Sequence, residues 1–274
     1  MSVRSYFDLS QPDRSGLAGQ IAEQRRRVAD RLAAVRSVVL VMSGKGGVGK
    51  SYVTAGLARA IATGSGQAVG VLDADLRSPT VARLLGASGP LKVTDDAVEP
   101  ALGADGVKVM STDFLLHEGQ PLAWRGPSQE RFVWRGSLEV GTLREFLGDV
   151  RWGALDLLLI DLPPGADGAV ELGALVPNLT GALVVTIPTD ESHRSVSRTM
   201  RAAVDVGIRL LGVVENMSGY HCAGCEETRA LFTGDAGARL AEAFRVPLLG
   251  AVPFSAQGQP SIERIAARLQ EALA

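Results

Sequence analysis

The stretch Ser43-Gly44-Lys45-Gly46-Gly47-Val48-Gly49-Lys50-Ser51 decides the fold of this chain. An apolar run, residues 37–42, leads into it, and a helical pattern that carries Leu57 and Ile61 follows it. A strand, a glycine-rich turn and the start of a helix are the context in which the spacing G-x-x-x-x-G-K-[ST] indicates a phosphate-binding loop. A glycine-rich turn that binds no ligand is the alternative, and the full spacing with both flanks disfavours it.

The residue types in this loop suit an anion. Glycine lets the backbone adopt positive φ and approach a phosphate without a Cβ in the way, and successive N–H groups converge on it at the positive end of the following helix. Lys50 would bridge the β- and γ-phosphates, and the Ser51 hydroxyl would coordinate Mg²⁺. The residues predicted to hold the nucleotide here are Gly44, Lys45, Gly46, Gly47, Val48, Gly49, Lys50, Ser51 and Tyr52.

A second lysine, Lys45, lies near the start of the loop, where it is not needed to hold a nucleotide within one subunit. This form of the loop, KGGVGK[ST], resembles that of the dimeric ATPases of the MinD/ParA/nitrogenase-iron-protein class. The resemblance implies ATP, Mg²⁺ and a homodimer together, with Lys45 reaching across the dimer interface to the nucleotide of the other subunit.

The composition is that of a soluble globular protein with one large domain or two small ones. Of its 274 residues, 46 % are hydrophobic and 21 % are charged, and the formal net charge is −2. A nearly neutral chain has no global attraction to nucleic acid or to anionic membrane, and no apolar run approaches the roughly 18 residues of a membrane span. The N-terminus lacks a signal-peptide pattern. We therefore expect a cytoplasmic protein with no nucleic-acid partner and no stable membrane association.

The first 36 residues are predicted as a polar tail, residues 1–16, followed by an amphipathic helix, residues 17–36. The arginine-rich face of this helix could bind nucleic acid or lipid, but a solvated outer face on a helix packed against the domain is favoured. No linker, repeat or low-complexity tract interrupts residues 37–274, which we predict to form one P-loop ATPase domain.

Apolar strands alternate with helical patterns along the chain. The predicted strands span residues 68–73, 107–111, 155–160, 182–187, 210–214 and 248–252, and the predicted helices span residues 80–85, 129–147, 191–206, 235–245 and 261–273. Continuous apolar strands separated by helices indicate a parallel sheet covered on both faces. The predicted fold class is therefore α/β, a mostly parallel sheet with helices on both faces, as in P-loop NTPases with this form of the loop.

Acidic residues end two of these strands, at the edge of a parallel sheet where ligands usually bind. Asp161 fits a Walker B aspartate that holds Mg²⁺, through water. Asp75 could orient the attacking water, with Asp73 near the Mg²⁺ but not bound to it directly. Lys45, Lys50, Asp75 and Asp161 form the predicted catalytic set. The alternative is that these acids simply cap helices or turns.

An amide that could read a base follows a later strand. Asn216 comes just after the strand predicted to end at residue 214, and its side chain offers a donor and an acceptor to an adenine edge. Pro253, after the last strand, could flank the same base.

The chain has two cysteines, Cys222 and Cys225, predicted to lie on a loop after residues 217–221. In a reducing compartment a close pair favours metal or redox chemistry over a structural disulfide. Iron–sulfur clusters usually require four thiolates, and a symmetric dimer supplies four if the two loops meet at its axis. A thioredoxin-like redox pair, a zinc ion bridging two subunits and inert thiols are the alternatives.

The motifs occur in the order and spacing of the Mrp/ApbC/Nbp-type P-loop ATPases, a family of iron–sulfur cluster carrier proteins. The resemblance covers roughly residues 37–252 and rests on residues 43–51, Asp73-Ala-Asp75, Trp124-Arg-Gly-Pro127, Asp161-Leu-Pro-Pro-Gly165, Glu215-Asn-Met-Ser218 and Cys222-x-x-Cys225. It implies that Cys222 and Cys225 are cluster ligands. Tyr52 and Ala166 depart from the family pattern, each in place of a small hydroxyl residue, and they favour slow turnover.

The function that this resemblance implies is an ATP-dependent carrier, which holds a [4Fe-4S] cluster between the two subunits of a homodimer and transfers it to apo iron–sulfur proteins. A MinD/ParA-like positioning ATPase, which uses the ATP dimer as a switch on membrane or DNA, is the alternative. A nucleotide-binding scaffold that barely hydrolyses is a third possibility. Residues 261–274 have balanced charges and no aromatic residue, which favours core packing over membrane binding.

Overall fold

The computed structural model describes residues 17–115, 135–222, 224–255 and 260–273 of the chain. The strands within these residues are β1 (Val35–Met42), β2 (Val69–Asp73), β3 (Lys92–Val93), β4 (Val98–Glu99), β5 (Ala101–Leu102), β6 (Lys108–Met110), β7 (Leu155–Asp161), β8 (Leu179–Thr186), β9 (Leu210–His221), β10 (Thr228–Arg229) and β11 (Leu248–Phe254). The helices are α1 (Leu17–Leu32), α2 (Lys50–Ser65), α3 (Val81–Leu84), α4 (Arg135–Asp149), α5 (Asp167–Leu175), α6 (Asp190–Asp205), α7 (Ala236–Phe244) and α8 (Pro260–Leu273).

Nine of the described strands form one sheet in the order β10-β9-β8-β1-β7-β2-β6-β5, with β11 also paired to β9. In the described part of this sheet, the pairing is parallel except at the short strands β5 and β10. β3 and β4 form a separate antiparallel pair. The predicted fold class, a mostly parallel sheet with helices on both faces, is confirmed.

The two faces of the sheet are covered by different helices, because its central strands are apolar on both sides. All of β2 is buried. One core cluster joins the sheet to α1, α4, α5, α6 and α7 and contains Leu32 and Leu147. The other joins the opposite face to α2, α3 and α8 and contains Leu57 and Ile265. No helix in the described part of the chain is both long enough and apolar enough to cross a membrane.

The structure corrects several predicted elements. α1 ends at Leu32 and not at residue 36, because Val35 already pairs with Leu155 in the sheet. β9 continues to His221, far beyond the predicted end at residue 214. The sequence pattern does not predict α5, a helix of nine residues that contains two glycines. The predicted tail, residues 1–16, lies outside the described residues, as do Trp124-Arg125 and the start of the helix predicted at 129–147.

α1 packs on the sheet as part of the core. Val28 and Leu32 are buried in the same cluster as Leu147 of α4. Three of its arginine side chains bind partners in the chain itself. Arg26 pairs with Glu23 and Asp30, Arg27 pairs with Asp149, and Arg31 donates to the carbonyl oxygens of Asp96 and Gly148. We propose that residues 37–274 form the P-loop domain and that α1 covers one face of its sheet.

Leu32→Ala should lower the free energy of unfolding by about 2–5 kcal/mol, because it leaves a cavity where α1 packs on the core. Urea denaturation followed by circular dichroism measures this change. Arg25→Ala, an exposed position on the same helix, is the matched control and should change the free energy by less than about 0.5 kcal/mol. An equally small effect of Leu32→Ala would show that α1 does not belong to the core.

Candidate nucleotide site and cysteine hairpin

The phosphate loop, residues 43–49, connects β1 to α2. Gly47 and Gly49 have φ of 78° and 77°, a backbone conformation that residues with side chains rarely adopt. Gly49 is the N-cap of α2, so the unpaired N–H groups of the first helical turn open toward the loop. This is the geometry of an anion-binding helix start.

Two neighbouring segments hold the beginning of the loop. A Cβ on Gly44 would lie 2.4 Å from the backbone of Ser195 in α6, so only glycine fits there. The Ser195 hydroxyl donates to the Gly44 carbonyl at 2.7 Å. The Gly165 N–H donates to the Ser43 carbonyl at 2.9 Å, which joins the segment after β7 to the loop.

A buried carboxylate at the end of β7 binds the first two turns of α2. One oxygen of Asp161 lies 2.8 Å from Lys50 Nζ and accepts a 2.6 Å hydrogen bond from the Ser51 hydroxyl. The other oxygen accepts a 2.7 Å hydrogen bond from the Thr54 hydroxyl. A fully buried charge is tolerated when it is paired and hydrogen-bonded in this way. No sequence motif points to Thr54, although a position four residues after Lys50 lies on the same helix face.

The residues at this point fit a Mg²⁺ ion. Mg²⁺ prefers oxygen ligands and usually keeps several waters. Ser51 and Asp161 bring a hydroxyl and a carboxylate oxygen within 2.6 Å of each other, so both can face one hydrated ion.

Asp73, at the end of β2, lies beside Asp161 in the parallel register of β2 and β7. Its side chain accepts hydrogen bonds from the N–H groups of Thr80 and Val81 at 2.9 and 3.1 Å and from the Ser111 hydroxyl at 3.3 Å. Burial, and then the negative charge of Asp161, raise the pKa of Asp73 to about 7. Asp73 therefore anchors the segment between β2 and α3 to the sheet.

Asp75 lies within that anchored segment. Its N–H donates to Asp73 at 3.3 Å, and its carboxylate accepts a 3.3 Å hydrogen bond from the Ser78 N–H. The carboxylate thus caps a turn, which is the structural alternative to a catalytic role. That Asp75 orients an attacking water stays a prediction.

Lys45 makes a weak contact with its own subunit. Its ammonium lies 3.5 Å from Glu191 in the first turn of α6, and the Glu191 side chain is 89 % exposed. An ion pair this exposed contributes about 0–1 kcal/mol to stability. The contact therefore leaves Lys45 able to change partner, and its role across a dimer interface stays a prediction.

Asn216 lies inside β9 and not after the end of a strand, because β9 continues to His221. Its buried side chain donates a 2.9 Å hydrogen bond to the Val48 carbonyl of the phosphate loop. Pro253 follows Val252, which is the register partner of Asn216 on β11. The two residues predicted to hold adenine thus lie on neighbouring strands beside the loop, and their contact with a base stays a prediction.

Three other predicted loop residues have different surroundings. Val48 is buried in the core cluster that contains Leu57. Gly46 has open space around it, because a Cβ there would come no closer than 4.0 Å to another residue. Tyr52 is 40 % exposed in the first turn of α2 and borders a surface groove shared with Ile262 of α8.

The cysteines lie at the tip of a β-hairpin formed by β9 and β10, and not on an open loop. His221 pairs with Thr228 at the last rung of the hairpin. The turn is closed by the Cys222 N–H, which donates to the Glu227 carbonyl at 3.0 Å, and by the Glu226 N–H, which donates to the Cys222 carbonyl at 2.8 Å. The hairpin is therefore a defined turn that presents both thiols.

Cys222 is partly buried and Cys225 is exposed. Hydrogen bonds to the Cys222 sulfur, first from the Cys225 N–H, then from the Gly224 N–H and the Cys225 thiol, lower the pKa of Cys222. N–H groups directed at a sulfur favour the thiolate, which is the form that binds metals. Within the described residues, no group of three or more His, Cys, Asp or Glu side chains could hold a metal ion. The described part of one chain therefore provides two thiols and not a complete site.

Comparisons of the sequence with known proteins agree with one another. The family model described as NUBPL iron-transfer P-loop NTPase matches residues 34–271. The iron-sulfur cluster carrier protein of Saccharolobus solfataricus is 41 % identical over 231 residues, which cover 83 % of this chain and 74 % of the relative. The cytosolic Fe-S cluster assembly factor NUBP2 of Bos taurus is 40 % identical over 238 residues, which cover 85 % of this chain and 84 % of the relative.

Solved structures share the fold. A nucleotide-binding protein from Archaeoglobus fulgidus in complex with ADP has a TM-score of 0.70 and 33 % identity, over 90 % of this chain and 93 % of that one. The cell division ATPase MinD of Pyrococcus furiosus has a TM-score of 0.56 and 20 % identity, over 86 % of this chain and 99 % of that one. At 20 % identity the likeness to MinD concerns the fold alone.

The titration of Asp73 should lower the free energy of unfolding as the pH rises. Its pKa is about 7 in the folded protein against 3.8 ordinarily, so between these values the folded state holds a proton that the unfolded chain has lost. The free energy of unfolding then decreases with rising pH and levels off above about pH 7. Asp73→Asn, which keeps an acceptor oxygen for Thr80 and Val81, should remove this slope.

Urea denaturation of both proteins at several pH values between about 4 and 8 measures the difference. The wild-type curve should descend relative to that of the variant within this interval. Two parallel curves would mean that Asp73 does not titrate there.

Proposed function

Because the chain belongs to the family of NUBPL-type iron-transfer P-loop NTPases, we propose that it is an ATP-dependent carrier of iron–sulfur clusters. One observation carries the proposal. The sheet whose strand β1 leads into the phosphate loop also contains β9 and β10, which form a hairpin with two thiols at its tip. The protein would bind and hydrolyse ATP, hold a [4Fe-4S] cluster between the two subunits of a homodimer, and transfer it to apo iron–sulfur proteins. Relatives named cytosolic assembly factors support a cytoplasmic location.

The phosphate loop would bind the β- and γ-phosphates through its N–H groups and through Lys50. Lys50 lies 2.8 Å from Asp161, so it would exchange this carboxylate for phosphate oxygens. The released Asp161 oxygen and the Ser51 hydroxyl would then face Mg²⁺, which neutralises phosphate charge when bound. Thr54 would keep the carboxylate in place, because it donates to the other oxygen at 2.7 Å.

Hydrolysis requires a positioned water and a cation for the charge that develops on the phosphate. Asp75 would orient the water, since the hydrogen bonds of Asp73 fix the segment that carries it. Lys45, paired only weakly with Glu191, would reach the nucleotide of the second subunit. Ala166, the N-cap of α5, has no hydroxyl to offer in the segment after β7, so we expect turnover to be slow.

The cluster would be shared between two subunits. A [4Fe-4S] cluster commonly takes four thiolates, and each subunit contributes Cys222 and Cys225. Two hairpins that meet at a two-fold axis complete the set. The N–H groups directed at the Cys222 sulfur would stabilise its thiolate. An exposed hairpin tip would leave the cluster accessible to a recipient protein, which favours transfer over storage.

The alternative function, a MinD/ParA-like positioning ATPase on a membrane, gains no specific support from α8. This helix buries Ile262, Ile265 and Leu269 in the core cluster that contains Leu57. Its apolar face is therefore occupied within the chain and is not free to enter a lipid surface.

The cysteine pair provides the direct test of the carrier function. Reconstituted wild-type protein should contain about four irons per dimer. Cys222→Ser or Cys225→Ser should abolish stable cluster binding and leave ATP binding largely intact relative to cluster-free wild-type protein, because the hairpin tip is separate from the phosphate loop. Glu226→Gln, an exposed residue in the same turn, is the control and should retain the iron. Anaerobic reconstitution, iron analysis, absorbance spectra and size-exclusion chromatography measure these outcomes.

Three results would contradict this model of the cluster site. They are a full cluster in monomeric protein, undiminished iron in the double serine variant, and stoichiometric zinc in protein that takes up no iron. The last would favour a zinc ion bridging two subunits.

Substitution of the two loop lysines should affect ATP binding and ATP hydrolysis differently. Lys50→Ala should abolish ATP hydrolysis and weaken ATP binding strongly, because the phosphate charge loses its partner within the subunit. Lys45→Ala should bind ATP nearly normally and lose hydrolysis, because its charge acts on the other subunit. Titration calorimetry and phosphate release separate binding from turnover. Glu191→Gln removes only the partner of Lys45 and should retain hydrolysis.

An ATP affinity as low in Lys45→Ala as in Lys50→Ala would rule out the cross-subunit role of Lys45.

A further inference from the structure

β9 reaches both candidate sites. Asn216 in this strand contacts the phosphate loop, and Cys222 follows the last residue of the strand, His221. At about 3.3 Å per residue, the six steps from Asn216 to Cys222 span at most about 20 Å. One strand therefore connects the nucleotide loop to the cysteine hairpin, with no linker between them.

The contact between β9 and the loop is close and buried. Asn216 is 5 % exposed, and its side-chain nitrogen donates to the Val48 carbonyl at 2.9 Å. A Cβ on Gly49 would lie 2.2 Å from the same nitrogen, so the last turn of the loop rests directly on the amide. A rotation of the Val48 peptide must therefore move Asn216 or break this hydrogen bond.

Between Asn216 and the cysteines the strand is bulged. Asn216 pairs with Val252 and Tyr220 pairs with Phe254, so four steps along β9 oppose two steps along β11. Met217, the first residue of the bulge, has φ of 55°, an uncommon conformation for a residue with a side chain. Bulges and strained residues are found next to functional sites, where they redirect a chain.

The far end of the bulge rests on the hairpin. A Cβ on Gly219 would lie 2.7 Å from the Arg229 carbonyl in β10, so these two backbones are in close contact. Arg229 also pairs with Tyr220, two residues before Cys222. The bulge, residues 217–219, is thus packed between the loop contact on one side and the returning strand of the hairpin on the other.

We propose that Asn216 is a positioning residue that couples the two sites, so that the occupancy of the phosphate loop sets how tightly the hairpin holds its cluster. The inference rests on the proposed function and adds to it the residue, Asn216, and the strand, β9, through which the two sites would be coupled. Phosphate binding to the N–H groups of the loop turns neighbouring peptides, and the Val48 carbonyl transmits the change to Asn216. The bulge, strained at Met217, is the element whose arrangement both sites bias.

Coupling of this kind is reciprocal. If ATP changes the affinity for the cluster by some factor, the cluster must change the affinity for ATP by the same factor. The factor expected for coupled sites is about 5- to 150-fold. Substitution of a residue that serves only the fold or the nucleotide site would change the ATP affinity equally in cluster-free and in cluster-loaded protein, and would leave the ratio of these two affinities unaltered. The ratio is therefore the diagnostic quantity.

The experiment measures the Kd of a non-hydrolysable ATP analogue with Mg²⁺, in full-length protein with and without the reconstituted cluster, by anaerobic calorimetry. The wild-type ratio should be about 5-fold or more. Asn216→Ala and Asn216→Asp, which both lose the amide donor, should bring the ratio close to one. Ser195→Ala is the matched control, because it removes the 2.7 Å hydrogen bond to the Gly44 carbonyl from α6, a helix without cysteine. It should keep the wild-type ratio.

The loss of iron to a chelator, with and without the analogue, gives the reciprocal measurement and should change in the wild type but not in the Asn216 variants. A wild-type ratio of one, in protein that binds both iron and nucleotide, overturns the coupling and needs no variant to fold. An undiminished ratio in the Asn216 variants overturns the role of this residue. Wild-type protein that takes up no iron would instead refute the proposed function, so the two failures are distinguishable.

Discussion

The burial of the Asp161 charge is the constraint on which the rest of the site depends. A carboxylate inside the protein must be fully paired, and removal of one partner from such a pair costs about 3–5 kcal/mol. Lys50, Ser51 and Thr54 satisfy it from two successive turns of one helix. The start of α2 is thereby fixed to the end of β7, and the phosphate loop has to close between them. The same charge, added to burial, raises the pKa of Asp73 on the neighbouring strand.

The phosphate loop is held by its carbonyl groups, which suits a site that binds anions. The carbonyls of Ser43, Gly44 and Val48 accept hydrogen bonds from Gly165, Ser195 and Asn216 respectively. These donors come from three different elements around the loop. With several of its acceptors engaged in this way, the loop keeps its course and directs N–H groups toward a phosphate, so that reorganisation on binding is confined to small peptide rotations such as the one proposed at Val48.

Two features of the chain make most sense in the proposed homodimer. Lys45 is near the phosphate loop, yet its observed partner is an exposed carboxylate at 3.5 Å. The hairpin presents two thiols where a cluster commonly takes four. A second copy related by a two-fold axis would provide a use for Lys45 and the missing thiolates together. β9 would then connect the nucleotide and the cluster within each subunit, and its bulge lies between the two.

The sequence by itself determined the phosphate loop, the α/β class, the family, and the meeting of Lys50, Ser51 and Asp161, because the carboxyl ends of parallel strands share one edge. It did not reveal that β9 runs on through Met217, Ser218 and Gly219. Strand propensity there is low, and pairing with β10 and β11 supplies the missing hydrogen bonds. Thr54 and Ser195 also emerged only in three dimensions, since their partners lie 107 and 151 residues away. A local sequence pattern indicates which face of a helix or strand is buried, whereas the tertiary structure decides which distant group contacts that face.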